Sequence, residues 1–184
     1  MITIEPTLEP VSLSEVKAHL RIDSTDEDSL ISALIVAART QVEIFTKRPL
    51  VTQTHTSFFN YLISGTELSV NLQSINSVKY LDIAGIQQTL APSEYTADIH
   101  KPVGAICATY DATWPTIRVD IDSVEIEFIC GYGEPSDVPQ AIKQAMFLLI
   151  GDMFEVREAS VIGVAINDTG AVRALLNNYK VMTL

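Results

Sequence analysis

The sequence predicts an α+β protein: a helical core, built from N-terminal helices and a long C-terminal helix, with an inserted antiparallel β-rich segment. Three observations carry this. Apolar residues recur at helical spacing over about 11–48 and again over 137–184. Between them, residues 50–133 shift to period two and to Thr, Val and Ile. Pro49 and the triplet Gly131-Tyr132-Gly133 punctuate the two changes of period. With 184 residues, 47% of them hydrophobic and 19% charged, the chain has enough apolar side chain for a sizeable core and reads as one domain over 1–184.

The first region opens with Ser12-Leu13-Ser14-Glu15. This fits a capping box, with Ser12 as N-cap and Glu15 at the third helical position. Leu13, Val16 and Leu20 follow at helical spacing. A second box, Ser24 to Glu27, is expected to open a longer helix that ends before Pro49. Its first turn is acidic and its last turn carries Lys47 and Arg48, as a helix dipole favours. Leu30, Ile31, Leu34, Ile35, Ala38, Val42 and Phe45 form a stripe wide enough to meet more than one neighbour. It reads as intrachain core, with part of it open to another subunit.

In the second region Thr52, Thr54 and Thr56 alternate with Val51, Gln53 and His55, and Ala84-Gly85 marks a turn after a strand-like run over 78–83. Apolar residues sit at odd positions in Ile117, Val119 and Ile121 and at even positions in Val124, Ile126 and Phe128. A two-residue loop at Asp122-Ser123 would reconcile the two sets as a hairpin, with a bulge as the alternative. That hairpin pairs Arg118 with Glu127 and Asp120 with Glu125. Trp114-Pro115 precedes it as a core anchor. In the third region Asp137 and Pro139 suit a helix start. Ile142, Ala145, Met146, Leu149, Ile150, Met153 and Phe154 give the strongest periodic signal in the chain. Residues 159–167 read as a loop. Asp168 or Thr169 is expected to cap a short last helix over 171–178, carrying Leu175 and Leu176, with Tyr179 just beyond and a mobile tail after it.

Candidate chemistry is sparse. The net charge of −11 gives no general attraction to nucleic acid or anionic membrane. The N-terminus has neither a basic nor an apolar signal-peptide region, and the longest apolar runs are short for a bilayer. Cys107 and Cys130 lack CxxC spacing and read as free buried thiols, a weak sign of a reducing compartment. His19, His55 and His100 form no metal motif, and Asp98-Ile99-His100 is a pair that chance produces often. The acids over 23–28 lack the glycine and the final glutamate of a calcium loop and suit helix capping better. No nucleophile elbow, P-loop or dinucleotide motif occurs. Neither a metal nor a cofactor is called for, and an enzyme has no residues to stand on.

Two stretches carry a resemblance: WP…VEIEFICGYG…VPQAIKQAMFLLIGDMFEVRE, and VSLSEVKAHLRID followed by DEDSLISALIVAARTQVEIFTKRPLVTQT. Together with ALLNNYK near the end, they resemble the head–tail connector (adaptor) family of tailed phages and gene transfer agents. The resemblance runs over nearly the whole chain in the family's order, though the β-rich region and residues 159–170 are long for it. It implies a structural virion protein of the neck, present in host cytoplasm during assembly. Such a protein forms a ring of roughly a dozen copies beneath the portal protein. It joins the portal to the next connector, stopper or tail protein, and genomic DNA passes through without tight binding. No cofactor, catalysis or membrane is implied. Leu175, Leu176 and Tyr179 are the candidates for docking on the portal or a neighbour. Asp120, Asp122, Glu125 and Glu127 are candidates to face the channel. A tail-completion or other morphogenesis factor is the alternative within the same class. A soluble enzyme or small-molecule binder using His55, Asp98 and His100 is the alternative outside it.

Overall fold

The structure is a computed structural model and describes residues 2–155 and 170–181. These fall into two compact units.

The helical unit takes residues 8–51 and the described residues from 133 onward. It contains α1 (Leu13–Leu20), α2 (Asp28–Thr46), α3 (Gln140–Glu155) and α4 (Gly170–Leu176). Helix α1 starts as the sequence predicts. Ser12 Oγ accepts from Glu15 N at 3.3 Å, and Ser12 N donates to Glu15 Oε2 at 2.7 Å. The second box does not form. Ser24 instead closes a local turn, its Oγ accepting from Asp26 N at 3.1 Å, and α2 begins four residues later at Asp28. A serine hydroxyl satisfied within its own turn is not available to cap. At the other end Lys47 lies in the left-handed region as the C-cap, just before Arg48 and Pro49.

Ile31, Ile35, Ala38 and Val42 of α2 pack with Ile142, Ala145, Met146 and Ile150 of α3 as the buried centre of this unit. Leu149, which the sequence places mid-stripe, is half-buried. The fully buried residue of that turn is Ile150, which belongs to the same expected stripe, so the predicted face is the buried one with Leu149 toward its edge. Asp137 is not the N-cap of α3. Its carboxylate accepts from Glu134 N at 2.9 Å within a preceding 3₁₀ turn, and Ile142 N and Lys143 N donate to Pro139 O. The expected loop over 159–167 and the caps at Asp168 and Thr169 lie outside the described residues.

Residues 2–7 and 52–132 form the sheet unit. Its strands are β1 (Ile2–Ile4), β2 (Gln53–Phe59), β3 (Thr66–Ser69), β4 (Leu72–Leu81), β5 (Gln87–Thr89), β6 (Tyr95–Asp98), β7 (Gly104–Ala108) and β8 (Val124–Cys130). Five of them make an antiparallel sheet in the order β1-β2-β8-β4-β5, and three make a second in the order β3-β7-β6. Strand β8 is central. Val124, Ile126, Phe128 and Cys130 alternate inward, where they pack with Val78, Leu90 and Ile106. The two sheets approach closely at Gly104, where a Cβ would collide with the Leu72 side chain, so glycine is required there.

The expected hairpin about Asp122-Ser123 is not formed. Strand β8 finds partners on both edges, β2 on one side and β4 on the other. Residues 117–121 are left with a single ladder-like bond, Arg118 N to Leu81 O at 3.0 Å. Ile117 still packs on the core, but Val119 and Ile121 are 82% and 78% exposed. The charge pairs change accordingly. Arg118 meets Asp120, Glu125 meets Lys79, and Glu127 accepts from Asn76. Distant strands can offer a backbone ladder on each side and a buried face, and a local hairpin offers one side only.

Gly131 and Gly133, with φ of 128° and 127°, end β8 in a conformation that favours glycine. A Cβ at Gly133 would also strike the Asp137 carboxylate. The triplet therefore ends the last strand and lets the chain start its helical return.

Candidate functional site

The candidate channel acids sit at one end of the five-stranded sheet and along its central strand. Glu125 and Glu127 project from the face of β8 opposite the core and are half-buried. Lys79 Nζ donates to Glu125 at 3.0 Å, and Asn76 Nδ2 donates to Glu127 at 3.1 Å. Both carboxylates are thus engaged across the β4–β8 ladder. Asp120 and Asp122 stand on the exposed loop just before β8. Asp120 pairs with Arg118 at 3.2 Å, and Asp122 N donates to Asn60 Oδ1 at 3.2 Å, which ties this loop to the end of β2.

That sheet end also gathers exposed apolar side chains. Strand β2 finishes there, β8 starts there and β4 finishes there, because β8 is antiparallel to both. Tyr61 and Ile63 follow β2, Ile121 precedes β8, and Ile83 and Ile86 lie in the β4–β5 turn, all more than half exposed. The turn at Ala84-Gly85 is as the sequence predicts. The Asp82 carboxylate accepts from Gln88 Nε2 and from the backbone of Ile86 and Ala84, and these bonds hold its pKa below the usual value. An open hollow of about 520 Å³ lies beside Phe58, Tyr61 and Ile63.

The C-terminal docking candidates are ordered within the helical unit. Leu176 is 2% exposed and Val172 6%. Arg48 Nε donates to Tyr179 O at 2.6 Å, Val181 N donates to Thr46 O at 2.9 Å, and the Lys180 ammonium sits over the Phe45 ring. One correction follows. Leu176 is core rather than a free contact, because a seven-residue helix is stable only when its apolar side is buried. Leu175 and Tyr179 are half-buried and keep part of their side chains at the surface.

The residues of the alternative pocket do not share an element or a sheet. His55 is on β2 of the five-stranded sheet, and Asp98 ends β6 of the other. The Asp98 carboxylate is spent on its own loop, accepting from His100 N at 3.2 Å and pairing with Lys101 at 3.3 Å. His55 faces the sheet core beside Phe128, with ring centroids 5.9 Å apart and Nε2 buried without a partner. Burial lowers its pKa below the usual 6.5, against a smaller opposing effect of Glu5. The neutral ring is therefore favoured in the fold. Above pH 6.5 both states are neutral and nothing changes. Below it the unfolded chain takes up a proton before the folded one does, so stability falls between 6.5 and the depressed folded value. His55→Leu is expected to remove this limb from the unfolding free energy measured between about pH 7 and pH 5. An unchanged pH slope would assign the limb to other groups.

Against known proteins, residues 10–100 match the family model described as phage gp6-like head-tail connector protein. The chain belongs to the phage head–tail connector family. This connector shares its fold, over 100% of its length, with a chain in the neck of an empty GTA particle computed with C6 symmetry. The TM-score is 0.76 at 21% identity, with 97% of that chain covered. A chain of the virion of a native gene transfer agent (GTA) particle matches at TM-score 0.73 and 19% identity, again over 100% and 97% of the two chains. A chain in the neck of a native GTA particle computed with C12 symmetry gives 0.69 and 22% over the same shares. No curated protein sequence matches the connector significantly. At these identities the neck chains establish a common fold, which spans both units of the connector. Sequence reasoning missed the apolar sheet end. The alternation of Val119 and Ile121 was the available signal, and it reads equally well as a buried strand face.

Proposed function

We propose that this connector is a structural protein of a virion neck. It forms a ring of identical copies around the DNA channel, between the portal and the next neck or tail protein, with residues 1–184 acting as one connector module. The observation that carries the reading is the fold shared over the whole chain with neck chains of particles computed with C6 and C12 symmetry. A ring of roughly a dozen subunits uses one heterologous contact repeated about an axis. The reading assigns the chain no catalysis and no cofactor. Its test is a particle in which the connector is deleted or labelled. Filled heads without tails, and label confined to the neck of complete particles, are the expected results. Label elsewhere in the particle would overturn the reading.

Two finer assignments follow from the same proposal. Asp120 and Asp122 are the better channel candidates, since both are exposed on the loop before β8, whereas Glu125 and Glu127 are half-buried and bonded across the β4–β8 ladder. A passive channel avoids phosphate contacts, each of which strengthens DNA binding. Asp120→Lys with Asp122→Lys should slow DNA ejection while rings still form, and normal ejection would put this loop outside the lumen. Leu175 and Tyr179 are assigned to docking on the portal or a neighbour, with Leu176 anchoring the segment beneath them. Because Val172 and Leu176 are core, the clean test is the point variant Leu175→Asp rather than a truncation. It should keep a folded protein and lose head joining; infectious particles at normal yield would exclude this docking role.

A further inference from the structure

Helix α2 has an unusual distribution of charge. It spans 19 residues and contains three charged side chains, Asp28, Arg39 and Glu43. Each is held in an ion pair within the helical unit. Lys17 pairs with Asp28 at 2.6 Å, and Arg39 pairs with Glu9 at 2.9 Å and with Glu43 at 3.1 Å. The buried stripe of Ile31, Ile35, Ala38 and Val42 faces the unit's own core.

The opposite side of the helix is exposed and carries no charge. It presents Leu30, Ala33, Val36, Ala37 and Ile44, interspersed with the uncharged polar residues Ser29, Ser32, Thr40 and Gln41. Leu30, Val36 and Ile44 are 37%, 43% and 72% exposed. Two of the hydroxyls on this side are satisfied inside the helix. Ser32 Oγ donates to Asp28 O at 2.8 Å, and Thr40 Oγ1 donates to Val36 O at 2.9 Å. A solvated helix normally turns its charges outward. Here the charges are paired within the unit, and the outer side is uncharged and largely apolar.

We propose that this face of α2 packs on a second copy of the chain and forms the seam between adjacent subunits. The inference rests on the ring reading above and adds the surface that makes the ring. Net charge limits where two copies can meet. Copies at −11 repel one another, so they can meet closely only through a surface free of acid. Area sets the strength. A helix of this length runs about 28 Å, and one side of it offers a few hundred Å², below the roughly 800 Å² per partner of a stable pair. Self-association is therefore weak in solution and complete in a closed ring, where each subunit is held by two neighbours. The small Ala33 and Ala37 let a neighbouring element approach closely.

The test is a photo-crosslinker at Ile44 in assembled particles, together with the variant Val36→Glu/Ile44→Glu. A product of twice the chain mass, with all its peptides from this chain, is expected. The double variant should keep the wild-type melting curve, because both positions are exposed. Its self-association should weaken about tenfold or more, since each glutamate must lose hydration in the contact. A ring visible in the particle with Ile44 crosslinked to a different virion protein, or to nothing, would overturn this inference and leave the neck assignment standing. Absence of the chain from the neck would remove both. By length and hydropathy α2 could also meet a bilayer; vesicle binding that the double variant abolishes would give the face to lipid and overturn the subunit seam.

Discussion

Arg39→Ala is expected to lower the unfolding free energy of the helical unit by about 3–5 kcal/mol. The guanidinium side chain is 4% exposed and joins Glu9 and Glu43. Glu43 in turn accepts from Leu50 N at 2.8 Å, so one carboxylate ties the helix to the chain beyond Pro49. Removing the arginine leaves that carboxylate buried beside lost charge. The desolvation cost of both ions was already met on folding, and it is no longer offset. A double variant, Arg39→Met with Glu43→Gln, should recover much of the loss, because it removes the unpaired charge. Urea unfolding of the wild type, each single variant and the pair gives the coupling directly. A loss below about 1 kcal/mol for Arg39→Ala would mean that the site is hydrated.

Phe128→Ala should cost about 3–5 kcal/mol in the sheet unit. Phe128 is 1% exposed, sits on the central strand and touches the His55 ring. The informative control is Ile121→Ala, which should change stability by no more than about 0.5 kcal/mol. A local hairpin about Asp122-Ser123 would bury Ile121 opposite Val124 and make that control expensive. In the structure Ile121 is 78% exposed, and the contrast between the two variants separates the arrangements by unfolding alone.

Much of the helical unit was legible because its signals are local. The capping box at Ser12, the stop at Pro49, the periodicity of α2 and α3 and the glycine triplet all depend on neighbours within a few residues. The Asp82 turn belongs to the same class. Errors arose where a local motif competed with another local use of the same group, as at Ser24 and Asp137, whose side chains close turns instead of capping the helices after them. Strand β1 was not found at all, since three residues give no period; it is a strand because β2 supplies its ladder.

The candidate surfaces were less legible, and the reason is the same at each. An apolar side chain looks alike in sequence whether it faces a core or a partner. Leu176 and Leu175 are adjacent, yet one is buried against the helices and the other is partly open. Leu30 and Ile31 differ in the same way on α2. Residue type and short-range spacing by themselves determined the α+β class, the helical–β-rich–helical order of the three regions and the absence of familiar catalytic motifs, and the resemblance of the chain's motifs pointed to the family. Only the tertiary structure decided that β8 lies between β2 and β4, that the charges of α2 are paired within its unit and that Val119 and Ile121 stay in solvent. Those outcomes depend on which distant strand or side chain supplies the partner, and period-two or period-3.6 patterns specify a buried face without naming what buries it.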